Sequence, residues 1–369
     1  MTEQSSSAAP STIVNLLRRA WRSISVPVAS VILALVIGGI ILWLSRADPL
    51  AAYAALFRGS LGNIDAIGRT LEKATPLILG GLAVAFAFKA QLFNIGGQGQ
   101  LLLGAIVAAA VGFGIKGLPF IIHMPLALLA GSLAGALYGA IPGALKTYTG
   151  AHEVITTIML NYIAINITDY LADGPWKDTV GIEARTPPIL ETAIIPKWGP
   201  IPIGFFIAAA MSLAIWFLLY RTTTGYEIRT VGLNQHAARY GGVKVARTVI
   251  LTMVISGLLA GMGGAIETQG VVGRYQPGFN VGLGFDGITI ALLARTHPLG
   301  VIPAALLIGA MQAGSSRMQF DAHVAAQIID VVQALILFFV SADIIVRWII
   351  RVRAEEGEKV TLSTGWGQG

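Results

Sequence analysis

Ten stretches of this 369-residue chain run for roughly a dozen to two dozen residues with almost no charge: 25–45, 75–92, 100–115, 121–145, 154–171, 201–220, 248–265, 281–293, 301–312 and 324–346. A helix needs about 20 mostly apolar residues to cross the hydrocarbon of a bilayer. Composition agrees, because only 12% of residues are charged and 55% are hydrophobic. A water-soluble domain usually carries about 25% charge to cover its surface. The runs predict an all-α integral membrane protein of about ten transmembrane helices, eight or nine also fitting. Several runs are too short for one straight span, so some helices must tilt, break or rest on neighbours.

Charge gives the orientation. With ten spans both termini lie on one side, and 15 of the 25 Lys and Arg residues fall there or in loops on that side. By the positive-inside rule that side is the cytoplasm. The layout is then a cytoplasmic N-terminal segment 1–24, a transmembrane domain 25–350 with a cytoplasmic loop at 221–247, and a cytoplasmic tail 351–369. Arg18, Arg19 and Arg22 ahead of the first run resemble a signal peptide, but the run from Val26 to Leu44 is longer than a usual signal core, so it reads as an uncleaved first span. Five spans on either side of about residue 195 would make two halves of opposite orientation, although no residue-level self-similarity accompanies that arrangement.

Other classes fall away. The net charge of +6 is spread along the flanks of apolar runs, which argues against nucleic acid and for a lipid bilayer as partner. With no cysteine, disulfides, zinc thiolates and thiol catalysis are excluded, and the five histidines lack metal-ligand spacing. No Gly-Lys-Ser/Thr phosphate loop exists, so this chain is not expected to hydrolyse ATP or to hold a cofactor.

Four polar segments interrupt the apolar runs. Phe93-Asn94-Ile95-Gly96-Gly97-Gln98-Gly99-Gln100 sets three amides and three glycines within a mostly apolar stretch. It is either a short cytoplasmic turn or a helix break, which membranes tolerate where it is buried in protein or lines a cavity. His152-Glu153 would open a helix with a negative charge at its positive end. Asn161, two turns in, needs a partner helix or a wet pore. The loop 221–247 holds a short helix expected to start at Asn234 as N-cap, run through Ala237, Ala238 and Arg239, and stop at Gly241-Gly242. Asp286, in Gly284-Phe285-Asp286-Gly287-Ile288, is either a helix cap or a pore-mouth carboxylate. Dense Gly and Ala, as in Gly131-Ser132-Leu133-Ala134-Gly135 and 257–264, serve either close helix packing or helix sliding.

Together these segments resemble the inner-membrane permease family of ABC importers for ribose-type sugars, branched-chain amino acids and nucleosides. The likeness covers about 25–350. Asn94–Gln100, the Glu153–Tyr162 run and Gly284–Ile288 resemble the nucleoside branch most closely. The resemblance implies a cell-membrane pore subunit that does no bond chemistry itself. ATP would be bound by partner ATPase subunits, beside a second permease and an extracytoplasmic substrate-binding lipoprotein. It implies that the stretch Gly225 to Gly242 docks on the ATPase, with Gly225, Glu227, Arg229, Gly232, Asn234, Ala237 and Ala238 as motif positions. Gln235-His236 departs from the Pro-Glu or similar pair often found there. Asn94, Gln98, Gln100, Asn161 and Asp286 are the candidates for the substrate pathway. Simple sugars or branched-chain amino acids are the alternative cargo. A proton-coupled secondary transporter, with Asp286, Asp330 or Glu267 carrying the proton, is the rival class.

Overall fold

The computed structural model describes residues 12–180, 182–278, 282–325, 327–342 and 346, with side chains from residue 25 onward. The expected C-terminal tail at 351–369 and the first residues of the N-terminal segment lie outside the described residues. The chain is built from helices α1 Thr12–Leu44, α2 Pro49–Leu61, α3 Ile64–Phe88, α4 Gly97–Gly114, α5 Phe120–Thr149, α6 Glu153–Asp173 and α7 Ile203–Arg221. There follow α8 Thr223–Leu233, α9 Gln235–Tyr240, α10 Val245–Glu267, α11 Leu283–Leu293, α12 Val301–Ala322 and α13 Gln327–Ser341. A two-stranded hairpin, β1 Lys197–Trp198 and β2 Ile201–Pro202, interrupts the loop before α7.

Among the described residues each of the ten apolar runs falls mainly on a helix. Among the described residues eight helices are long and apolar enough to cross a membrane, and two shorter apolar ones, Leu283–Leu293 and Gln327–Ser341, complete the ten. At about 1.5 Å per residue α11 covers only about half of the hydrocarbon thickness. It rests instead on α3 and α4, with Gly287 and Ile290 against Gly80 and Gly81.

α3, α4 and α10 form the inside of the bundle, while α1, α6 and α7 keep most of their surface outward. The largest contact joins α5 to α10, one from each half of the chain. Glycines make it possible: a methyl group on Gly257 would overlap the Gly135 carbonyl oxygen, and one on Gly104 would overlap that of Gly261. In lipid, where apolar surfaces gain nothing by meeting one another, such backbone approach is what holds helices together.

Two helical stretches depart from the apolar pattern. α2 occupies a segment between runs, started by Asp48, whose carboxylate accepts from the Leu50 amide at 2.9 Å with Pro49 following. α3 begins eleven residues before its apolar run, capped by Asn63, whose Oδ1 accepts from the Ala66 amide at 2.7 Å. The polar turns that precede Thr75 extend the helix past the apolar segment.

Candidate functional site

The break between α3 and α4 is the segment 89–96. Asn94 folds back into it: its Oδ1 accepts from the Gly96 amide at 3.1 Å and from Gln100 Nε2 at 3.2 Å. Its Nδ2 donates to Gln100 Oε1 and to Ser256 Oγ, both at 2.8 Å. Ser256 in turn donates to the Ala83 carbonyl at 2.7 Å, so one amide joins α3, α4 and α10.

Glycine starts two helices here, and each is capped by a residue from elsewhere. The first four amides of a helix have no partner within it. α4 begins after Gly96, which offers no side chain; Asn161 of α6 supplies the acceptor, its Oδ1 taking the Gly99 amide at 2.8 Å. Asn161 Nδ2 donates to the Ile95 carbonyl at 2.9 Å. α11 begins after Gly282, and Gln98 Oε1 accepts from the Gly284 amide at 2.8 Å. Asn94, Gln98, Gln100 and Asn161 are at most 4% exposed. The structure therefore buries these four where α3, α4, α6, α10 and α11 meet, Asn94 and Gln100 bonded to each other and Asn161 and Gln98 each to backbone at a helix start.

Asp286 stands apart from it. It lies in the first turn of α11, partly exposed, and accepts from Gln312 Nε2 of α12 at 2.9 Å. Of the two readings open from the sequence, the capping one does not apply, since its carboxylate meets another helix. Glu153 opens α6 as expected, and its carboxylate pairs with Lys146 Nζ at 2.5 Å across the turn from α5.

The loop 221–247 is more helical than its polar composition suggests. Thr222 caps α8, its hydroxyl accepting from the Gly225 amide at 3.1 Å. Asn234 is the single extended residue before α9, and its Oδ1 accepts from the Ala237 amide at 3.0 Å. The expected helix after Asn234 is present, and Gly242 beyond it has a φ of +82°, as a left-handed stop requires. Gly225 and Gly232 sit where a side chain has no room: methyl groups there would overlap the Leu218 and Lys89 carbonyl oxygens. Ala238 is buried, whereas Glu227, Asn234 and Ala237 are exposed. Leu233 and Tyr240 project outward, 88% and 95% exposed.

Arg229 turns inward, its guanidinium 5.2 Å from the centre of the Tyr220 ring, which stacks on His297. Lys89 Nζ donates to Thr296 Oγ1 at 2.8 Å. Burial, and then the Arg229 charge, hold the Lys89 pKa below its usual value; burial and then Lys89 do the same for His297. The turn after α3, the turn after α11 and α8 thus meet at one end of the bundle. Sequence reasoning did not reach Ser256, Gln312, Lys89 or Thr296 as partners. Gln312, at the end of an apolar run, was the one signal available, because an amide there needs a partner.

A family profile described as branched-chain amino acid transport system / permease component matches residues 66–341. A guanosine ABC transporter permease of Bacillus subtilis is 39% identical, over 90% of this chain and 97% of its own. A nucleoside ABC transporter permease of Lactococcus lactis is 32% identical, over 93% and 98% of the two chains. A glucose ABC transporter permease of Haloferax volcanii is 33% identical, over 87% of each. Matched through most of its spans and along nearly the whole length of these relatives, the chain belongs to the family of ABC importer permease components.

Proposed function

We propose that this chain is the pore-forming subunit of a nucleoside importer in the cell membrane. The observation that carries the substrate class is the near full-length likeness to permeases named for guanosine and nucleosides. A second permease would complete the pore, ATPase subunits would bind ATP on the cytoplasmic side, and a substrate-binding lipoprotein would deliver solute outside. α8 and α9 are the contact for the ATPase: they are capped, α8 rests on the Lys89 turn, and they expose Leu233 and Tyr240 as apolar anchors. Glu227, Asn234 and Ala237 would lie at that contact, while Gly225, Gly232, Arg229 and Ala238 hold the helices against the body.

In the pathway, Asn94, Gln98, Gln100 and Asn161 act by setting how α4, α6 and α11 meet. Asp286 with Gln312 is a half-buried pair that joins α11 to α12. ATP-driven closure of the ATPases would move α9 and switch the pore between its outward and inward forms.

Uptake of labelled adenosine and uridine by cells carrying the assembled transporter, with and without this chain, tests the reading. ATP-dependent uptake, lost without the chain and competed by nucleosides, is the expected result. Competition by ribose, glucose or leucine instead would move the cargo, and the likeness to a glucose permease makes sugars the first alternative. Uptake that follows the proton gradient and needs no ATPase would overturn the importer class.

A further inference from the structure

The outward faces of three membrane-crossing helices are what hydrocarbon demands. α1 presents Val28, Ile32, Val36 and Ile40; α5 presents Leu126, Leu129, Leu133 and Leu137; α7 presents Phe206, Leu213 and Phe217. α6 departs from them. Its buried face, with Asn161 and Ala164, packs on Gly99 of α4. Its opposite face carries Met159, Tyr162, Asn166 and Tyr170, all exposed, beside the equally exposed Ile155 and Ile163. At 100° per residue these four lie within about 80° of one another, forming a line along the helix. The line becomes more polar from Met159 toward Asp173, and Tyr162, Asn166 and Tyr170 border a shallow, largely apolar surface groove together with Ile163, Ile167 and Leu171.

Asn166 sits about 20 Å along a helix about 31 Å long, well inside the span. A polar side chain at that depth faces protein or a water-filled space rather than lipid. A second permease pressed on this face would call for small residues that let backbones approach. The exposed positions from Ile155 to Tyr170 contain no Gly, Ala or Ser. What the line does offer is two phenol rings on either side of a carboxamide, one helical turn apart each. Aromatic rings stack on flat heterocycles with little regard to their identity, and Asn166, whose Nδ2 donates to the Tyr162 carbonyl of its own helix at 2.7 Å, keeps its Oδ1 to accept from a polar ring edge.

We infer that this face of α6 is the solute-contacting wall of the translocation pathway, where Tyr162 and Tyr170 stack on an aromatic heterocycle and Asn166 pairs with its polar edge. The heterocycle rests on the nucleoside reading above; the wall itself does not.

The absence of cysteine from the chain makes the test direct. Tyr162→Cys, Asn166→Cys and Tyr170→Cys each introduce the only thiol of this chain, with Leu133→Cys and Leu213→Cys as lipid-facing controls and the unsubstituted chain as the background. The complete transporter, in membrane vesicles, is treated with a charged methanethiosulfonate reagent, with and without ATP. The three α6 thiols should react in at least one state while the controls do not, and adenosine or uridine should slow that reaction. In uptake, Tyr162→Phe should preserve KM, whereas Tyr162→Leu should raise it by about fivefold or more, as loss of a stacking contact predicts. Protection by glucose or leucine alone would keep the wall and defeat the nucleoside reading. Thiols as unreactive as the controls in both states, in a transporter that still imports nucleosides, would overturn the wall and leave that reading standing.

Discussion

Asn161 accepts from the Gly99 amide and donates to the Ile95 carbonyl, so alanine there strands one buried and one part-buried backbone group. Each group left without a partner costs about 1–3 kcal/mol. Asn161→Ala should therefore lower the melting temperature of the purified permease clearly, and lower uptake with it. Asn161→Asp keeps the acceptor and should retain more of both than alanine. His297 gives a second test. The folded chain holds it below its ordinary pKa, so it binds fewer protons there than the unfolded chain once pH falls toward 6.5. Its contribution is full above that pH and is lost as pH drops below it. His297→Gln should flatten the fall in melting temperature between about pH 7 and pH 5. The sequence marked Asn94, Gln98, Gln100 and Asn161 as a group because amides are conspicuous in apolar surroundings. It left open whether they meet solute or protein, since that depends on which helices converge, and Ser256 and Gly284 come from far along the chain.

Helix by helix, close approach decides more than hydrophobicity. Gly257→Leu would drive a side chain into the Gly135 backbone and force α5 from α10, a cost of about 1–3 kcal/mol or more for overpacking. Gly114→Ala, at a position with nothing within 4 Å, should leave the melting temperature unchanged. Thermal unfolding in detergent of the two variants makes the comparison. The apolar spans were legible because lipid imposes one rule along their whole length. α8 was harder to see: its polar surface reads as a loop, and its helical form depends on burial of Ile228 and Val231 under the bundle. α9 was read correctly from Asn234, since its cap is local. The early start of α3 was hidden for a similar reason, because Asn63 is a cap whose helix continues through charged turns before the apolar run.

As a whole the molecule offers an interior held by glycine and amide contacts and one polar end from which α8 and α9 project. If that end is the ATPase contact, Leu233→Asp should abolish co-purification of the ATPase and ATP-dependent uptake while the melting temperature of the permease alone stays unchanged, because Leu233 is 88% exposed. An unchanged complex would move the contact elsewhere. The one extended residue between α8 and α9 then acquires a mechanical meaning. Asn234 is an elbow, and the forearm beyond it is the short helix α9. Behind the elbow, Gly232 lies directly on the Lys89 carbonyl, with no side chain as cushion. Five residues past Lys89 comes Asn94. A shove against α9 would travel through rigid backbone to the cluster of amides without crossing any lipid, and bulk added at Gly232 would act like play in a linkage.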